Sequence, residues 1–265
     1  MNQEIIDEIT NQDYAAITNK IEKFVSEQIE KNHSNGVILG LSGGIDSAVL
    51  AYICRGKLKE KTLALIMPDT SITPKIETED ALKIISLTGI EYKLIDIHPI
   101  VNEYSMYLEP NEKSKGNLRA RVRTNILYYY ANIKNYLVLG SSDKSEYLIG
   151  YFTKYGDGAS DITPISSLYK LQVREIARHL GISENIISKK SSPHLWKEHE
   201  AEKELGIQYE EIDSILYCLF DKKLTVDETE KVTQIDISVI EKINQLNKDS
   251  EHKRMLPAKL ETEQI

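Results

Sequence analysis

The sequence predicts a doubly wound parallel α/β sheet with helices on both faces. Between residues 13 and 140, four short apolar segments alternate with segments of helical spacing, the pattern of βαβ units. The first apolar segment runs through a glycine turn into a helix, Leu39-Gly40-Leu41-Ser42-Gly43-Gly44-Ile45-Asp46-Ser47. A chain of 265 residues, 41% hydrophobic and 28% charged, also carries enough apolar material to bury such a sheet.

Each element follows from local pattern. Tyr14, Ile17, Ile21, Phe24, Val25 and Ile29 repeat at helical spacing and predict a helix over 13–32, ended by Asn32-His33-Ser34-Asn35-Gly36. Val37-Ile38-Leu39 reads as the first strand, and Ala48-Val49-Leu50-Ala51-Tyr52-Ile53 as the helix after the turn. Residues 63–67 read as a second strand, closed by Pro68-Asp69. Residues 74–88 read as an amphipathic helix with Ser71 or Thr73 as its cap and Gly89 as its stop. Residues 92–97 predict a third strand, residues 118–134 a helix beginning after Lys115-Gly116-Asn117, and residues 136–140 a fourth strand. Beyond residue 150 the pattern changes to a loop at 155–161, a helix over 168–180 stopped by Gly181, a polar loop at 189–203, and helices over 208–221 and 226–247. No internal repeat or low-complexity tract interrupts it. The expected organisation is one domain over 1–265, with 1–150 forming the sheet core and 151–265 a lid loop and C-terminal helices.

In open parallel sheets the chemistry gathers at the carboxyl ends of the strands, here near 40–47, 67–71 and 140–146. A strand that turns through glycines into a helix gathers backbone N–H groups at a positive helix end, which suits phosphate. The hydroxyls of Ser42 and Ser47 add donors. Asp46 would repel such a ligand unless a cation lay between them, so the turn predicts a nucleotide polyphosphate with Mg²⁺. No Gly-Lys-Ser/Thr follows, which excludes a Walker A loop, and the dinucleotide spacing Gly-x-Gly-x-x-Gly is absent. Glu146, about one helical turn beyond the fourth strand, could pair with Asp46 on one Mg²⁺, although alone it reads as a solvated carboxylate.

The net charge of −8 argues against general affinity for nucleic acid or anionic membrane, so an anionic ligand needs local cations. Cys54 and Cys218 lie far apart and read as buried apolar residues of a reducing compartment. The acidic, amphipathic N-terminus lacks the regions of a signal peptide, and no apolar run approaches a membrane span. The expected location is cytoplasmic.

Ser42-Gly43-Gly44-Ile45-Asp46-Ser47 resembles the pyrophosphate loop of the ATP pyrophosphatase superfamily. Gly116-Asn117-Leu118-Arg119-Ala120-Arg121-Val122-Arg123, Gly140…Glu146, Gly150-Tyr151-Phe152-Thr153-Lys154-Tyr155-Gly156-Asp157-Gly158 and Ser250-Glu251-His252-Lys253-Arg254 follow in order. Together they resemble the ammonia-dependent NAD⁺ synthetases over roughly residues 15–260, and the style is similar to the archaeal-type members. The resemblance implies a Rossmann-like, adenine nucleotide alpha hydrolase-like sheet. It implies a C–N bond-forming ligase that adenylates the nicotinate carboxylate of deamido-NAD⁺ with ATP, releases PPi, and passes the acyl group to ammonia to give NAD⁺ and AMP.

Carried over residue by residue, it implies catalytic roles for Asp46 and Lys170 and Mg²⁺ on Asp46 and Glu146. ATP would contact Gly40, Leu41, Ser42, Gly43, Gly44, Ile45, Asp46, Ser47, Ser141, Lys170 and Ser192; the two outlying serines stand where the family usually has Thr. Deamido-NAD⁺ would contact Arg121, Lys154, Asp161, His252 and Lys253. It also implies a homodimer, for which the helix at 118–134 with Tyr128-Tyr129-Tyr130 is the expected interface. Glutamine-dependent relatives append a nitrilase-like domain that does not fit within 265 residues, so free ammonia, or ammonia from a separate partner, is the expected donor.

The lid departs from the family pattern. Its proline stands at 193 rather than 191, and the family's Gly-Gln-Thr-Asp has become Glu198-His199-Glu200-Ala201. Leu195, Trp196, Glu202, Glu204, Leu205 and Gly206 persist. Trp196 reads as a hinge anchor or a surface residue, and His98, His179, His194 and His199 show no metal spacing. Arg119, Arg121 and Arg123 alternate, so they cannot all face one way on a helix. The alternative function is an AMP-forming amide ligase of the same superfamily acting on another carboxylate. A tRNA-modifying relative would want a basic surface or a cysteine pair, which this chain lacks.

Overall fold

The structure is a computed structural model that describes residues 2–192, 195, 196 and 199–260. The chain runs α1 (Gln3–Thr10), α2 (Tyr14–Lys31), β1 (Gly36–Gly40), α3 (Ile45–Cys54), β2 (Thr62–Ile66), α4 (Lys75–Thr88), β3 (Glu91–Leu94), α5 (His98–Ser105), α6 (Glu112–Lys134) and β4 (Tyr136–Leu139). It continues through α7 (Lys144–Ile149), α8 (Lys170–His179), α9 (Glu184–Ile187), α10 (Ala201–Leu205), α11 (Tyr209–Leu216), α12 (Val226–Thr233), α13 (Ile237–Asp249) and α14 (Glu251–Arg254). The strands form a parallel sheet in the order β3-β2-β1-β4. The connection direction reverses between β1 and β4, which makes their carboxyl ends the switch-point crevice.

Successive strand residues point to opposite faces, and the two faces are buried by different helices. Leu39, Ala64 and Ile66 pack with α2, α3, α4 and α8. Ile38, Leu63, Leu65 and Val138 pack under α5 and α6. A third apolar cluster joins Ile5 and Ile9 of α1 to Ile149, Tyr209, Ile212, Ile215, Ile240 and Ile243. Helix α8 belongs to two of these cores, through Val173 and Ile176 on one and Leu171 on the other. Both cysteines are buried, as expected of two cysteines that lie far apart in the sequence.

Several boundaries differ from the sequence-based expectation. Helix α6 begins at Glu112, because Asn111 caps it through Ser114 N–H at 2.8 Å. Gly116 therefore lies inside the helix, where a Cβ would stand 2.9 Å from Leu195 Cβ; the glycine makes room for the lid. Helix α4 starts after Pro74 without a side-chain cap, since the Ser71 and Thr73 hydroxyls bond instead to Asp69. Gly89 ends it in the left-handed region, φ 67°. Strand β3 stops at Leu94, because the Asp96 carboxylate turns back to accept from Thr70 and His98 N–H and opens α5, an element the sequence pattern did not reveal. The segment 226–247 is two helices rather than one, broken where Gln234 takes φ 58° and Asp236 caps α13. The helix expected over 208–221 ends at Leu216 and continues as a π turn over Tyr217–Asp221.

Candidate active site

The carboxyl ends of β1, β2 and β4 open onto a cavity of about 270 Å³. Gly40, Leu41, Ser42, Gly44, Ile45 and Asp46 line it from the first turn, Met67 and Pro68 from the second, and Gly140, Ser141, Ser142 and Glu146 from the fourth. These are the three loops that the strand order of the sequence singled out. The turn needs its glycine: Gly43 has φ 87°, and a Cβ there would lie 2.3 Å from the Glu77 carbonyl oxygen. Ser47 faces inward rather than toward the cavity. Its hydroxyl accepts from Ser42 N–H at 3.2 Å and donates to the Gly44 carbonyl at 3.0 Å, so it shapes the turn that exposes its neighbours. At the far side, Lys189 Nζ reaches Glu77 at 2.9 Å, Asp80 at 2.8 Å and the Gly43 carbonyl at 3.3 Å, tying the root of the lid to the turn.

Beside the turn lies a buried charge cluster. Lys170, 1% exposed, places Nζ 2.7 Å from Asp46 Oδ1, 2.9 Å from Asp143 Oδ2 and 3.1 Å from Glu146 Oε1. Burial alone would favour the neutral amine, but the three carboxylates hold the lysine well above its usual range. Burial pushes Glu146 up well above the carboxylate range; Lys170 opposes this, and Asp143 and Asp46 add to it. With all three acids ionised, one ammonium leaves two negative charges uncompensated, which suits a divalent cation. The donor set fits Mg²⁺, which takes one or two carboxylates and completes its shell with phosphate oxygens and water. Among the described residues no three His, Cys, Asp or Glu side chains make a metal cage on their own.

Two carboxylates that the sequence reasoning missed organise this cluster. Asp143 caps α7 by accepting Glu146 N–H at 2.8 Å and pairs with Lys170 through its other oxygen. The Asp143-x-x-Glu146 spacing at a helix start was the readable sign of that cap. Asp213, fully buried on α11, accepts Leu171 N–H at 2.8 Å and the Ser145 hydroxyl at 2.5 Å. Ser145 in turn accepts Lys170 N–H at 3.0 Å. One acid of the C-terminal half thus fixes the starts of α7 and α8, which carry Glu146 and Lys170. An aspartate on the apolar face of α11, beside Ile212 and Leu216, was its sign in the sequence.

A second cavity of about 400 Å³ adjoins the first, and Tyr151, Asp157 and Leu195 border both. Lys253 lines it and donates to the Gly150 and Phe152 carbonyls at 2.6 and 2.8 Å. Lys154 donates to the His252 carbonyl at 2.6 Å, and Arg121 donates to the Lys154 carbonyl at 3.2 Å. Arg121, Lys154, His252 and Lys253 therefore form one neighbourhood. Asp161 is not bonded to them; it accepts from Val138 N–H at 2.7 Å and the Tyr128 hydroxyl at 3.3 Å, beside β4.

The lid lies over both cavities. Pro193, His194, Lys197 and Glu198 fall outside the described residues. Leu195 is held through its carbonyl by Arg119 Nη1 at 2.8 Å, and Arg119 is itself buried against Asp69 at 2.7 Å. The Ser192 hydroxyl bonds to the His199 carbonyl. Trp196 stacks on the His199 ring at 3.5 Å, and His199 Nε2 meets Tyr151 Oη at 3.0 Å and Glu204 Oε2 at 2.8 Å. His199, ordinary by sequence, is thus central to the lid's docking. The three alternating arginines take three directions: Arg119 to Asp69, Arg121 to Lys154, and Arg123 to the Met67 carbonyl at 2.9 Å.

Strand order, glycine turn and crevice define an adenine nucleotide alpha hydrolase-like fold. A sequence model of NAD synthase matches residues 17–257, and the chain belongs to that family. It is 49% identical over 255 residues to the NH(3)-dependent NAD(+) synthetase of Hyperthermus butylicus, covering 95% of this chain and 92% of that one. Among solved structures it is similar to the NMN synthetase of Francisella tularensis, with TM-score 0.84 and 34% identity over 95% of this chain and all of that one. It is also similar to the NH3-dependent NAD synthetase of Campylobacter jejuni, with TM-score 0.81 and 37% identity over 94% of this chain and all of that one.

Proposed function

We propose that this chain is an ammonia-dependent NAD⁺ synthetase that amidates deamido-NAD⁺ at the expense of ATP. The observation that carries the proposal is the junction of two cavities, one at the pyrophosphate-type turn and one bordered by Lys253, with Tyr151, Asp157 and Leu195 common to both. An ATP in the first cavity and a dinucleotide carboxylate reaching in from the second would meet there. Family membership and the identity to the Hyperthermus enzyme support the same reading.

A carboxylate is a poor acceptor for ammonia because oxide is a bad leaving group. Attack of its oxygen on the α-phosphorus forms an acyl–O–P bond and breaks the α–β P–O bond, so PPi leaves. Ammonia then adds to the acyl carbon, the bond to AMP breaks, and nitrogen loses a proton. The backbone N–H groups of residues 40–47 would hold the departing phosphates at the N-terminus of α3. Ser141 and Ser192 would add hydroxyls, and Lys170, buried behind the turn, would hold Asp46 and Glu146 in position. Asp46 and Glu146 would hold Mg²⁺, which supplies charge neutralisation on the phosphates. Arg121, Lys154, Asp161, His252 and Lys253 would bind the dinucleotide, and the docked lid would keep water from the acyl adenylate.

We further propose one domain over 1–265, a cytoplasmic location, and a homodimer through α6 and the edge strand β3. Tyr129, Ile133, Tyr92 and Leu94 are exposed on that side and support the last. Among the described residues no helix is long and apolar enough to cross a membrane.

The test is formation of AMP, PPi and amide from ATP-Mg²⁺ and ammonium with a panel of carboxylates. Deamido-NAD⁺ should be the preferred acceptor. A second reading has the Francisella likeness in its favour: an enzyme that amidates the corresponding mononucleotide. Preference for the mononucleotide in the same panel would establish it.

A further inference from the structure

Among the described residues, three cationic side chains line the first cavity: Arg123, Lys189 and Lys190. Two are neutralised. Lys189 pairs with Glu77 and Asp80, and Lys190 pairs with Glu200 at 3.1 Å. Lys170, behind the turn, is spent on three carboxylates. Arg123 differs. Its Nε donates to the Met67 carbonyl at 2.9 Å, which fixes the plane of the guanidinium. Among the described residues its two Nη groups have no hydrogen-bond partner, and it forms no ion pair. The nearby Asp69 is already engaged by Arg119, His98 and Ser71. Asp157, which also acts on Arg123 through its charge, is engaged by Thr153 N–H at 2.9 Å.

Arg123 is half-buried, and its Nη groups are not among the buried unbonded atoms, so they open onto the cavity with N–H groups free to take an anion. Burial draws Arg123 down to about 10, which still leaves it charged at neutral pH. Its place is informative. Leu127, one helical turn along α6, approaches Gly40 of the phosphate turn, and Asp157 borders both cavities. Arg123 therefore stands between the turn and the second cavity, where two anions must be brought together.

Resting on the function proposed above, we infer that Arg123 is a substrate-binding residue for the reacting anions themselves. Its paired Nη groups take the acceptor carboxylate, and then the non-bridging oxygens of the α-phosphoryl group whose phosphorus that carboxylate attacks as PPi leaves. A planar guanidinium fixed at Nε matches a carboxylate with two parallel hydrogen bonds, which a lysine ammonium cannot reproduce.

The experiment compares the wild type with R123M and R123K in ATP–PPi exchange driven by deamido-NAD⁺, alongside thermal melting. R123M should lose exchange by about 100-fold or more, as for removal of one preorganised charge donor. Its melting temperature should fall by no more than a few degrees, because the one bond lost among the described residues is that to the Met67 carbonyl. R123K should recover only part of the rate, and the KM for ATP should change less than that for deamido-NAD⁺. Exchange within about threefold of wild type in R123M, or a loss of rate that follows a loss of stability, would overturn the assignment. A wild type with no deamido-NAD⁺-dependent exchange would overturn the function proposed above together with this inference.

Discussion

The two ends of the cleft are built differently. At the phosphate end, residues 40–47 come from one continuous stretch, and the side chains behind them have two or three partners each. Lys170 meets three carboxylates, Lys189 meets two and a backbone carbonyl, and Ser47 bonds three times within the turn. At the lid end, the described residues are held by side chains from distant stretches of the chain: Arg119 on the Leu195 carbonyl, and His199 stacked on Trp196 and bonded to Tyr151 and Glu204. The first end is preorganised, so its charges act without reorganisation at the moment of reaction. The second end is assembled from parts far apart in sequence and suits a segment that admits substrate and then excludes water.

The contrast predicts a graded series of effects. Asp46→Ala and Glu146→Ala should each abolish Mg²⁺-dependent PPi release, a fall of about 1,000-fold or more, since charge stabilisation of the leaving group is lost. Wild-type-like turnover in either variant would remove the metal assignment. Asp143→Ala should lower kcat by about 100-fold while costing only about 1 kcal/mol of stability through the lost helix cap. Melting and steady-state rates measured on the same sample separate the two effects. Lys154→Ala should raise KM for deamido-NAD⁺ about tenfold, the loss of about 1.4 kcal/mol of binding, with KM for ATP nearly unchanged. Equal loss of both would sink that role.

Smaller effects are expected from the lid. His199→Phe keeps an aromatic ring against Trp196 but drops the bonds to Tyr151 and Glu204. Leakage of the acyl adenylate to water should then raise AMP formed per NAD⁺ above one. An unchanged ratio would show that His199 does not seal the site.

The smallest effect is on stability. Burial raises Asp213 from 3.8 to about 7, so the folded state binds its proton more tightly than the unfolded chain does. Stability from this group is complete below about pH 4 and is lost as pH rises through about 7. Asp213→Asn, which cannot ionise, should flatten the fall in melting temperature over that window; a wild-type slope in the variant would contradict the assignment.

What could be read in advance follows the same division. The turn was legible because its geometry comes from neighbouring residues, a strand, two glycines and a helix; Glu146, one turn beyond the fourth strand, read alone as a solvated carboxylate and was picked out by the family resemblance. Helix α5 was not, because its start depends on Asp96 turning back to Thr70 across the chain. The early start of α6 was hidden by Gly116, whose reason is a lid residue far along the sequence. Asp213 and Arg123 acquire meaning only from partners, or their absence, that the folded chain brings together. Family resemblance named Arg121, Lys154, His252 and Lys253, which the fold gathers, and Asp161, which it holds apart beside β4.

The central claim is that the two cavities meet over one acyl adenylate. Deamido-NAD⁺ labelled with ¹⁸O in its carboxylate, turned over once with ATP, Mg²⁺ and ammonium, tests it most directly. One labelled oxygen is expected in the phosphate of AMP and none in PPi. Unlabelled AMP, or release of ADP with labelled inorganic phosphate, would contradict it.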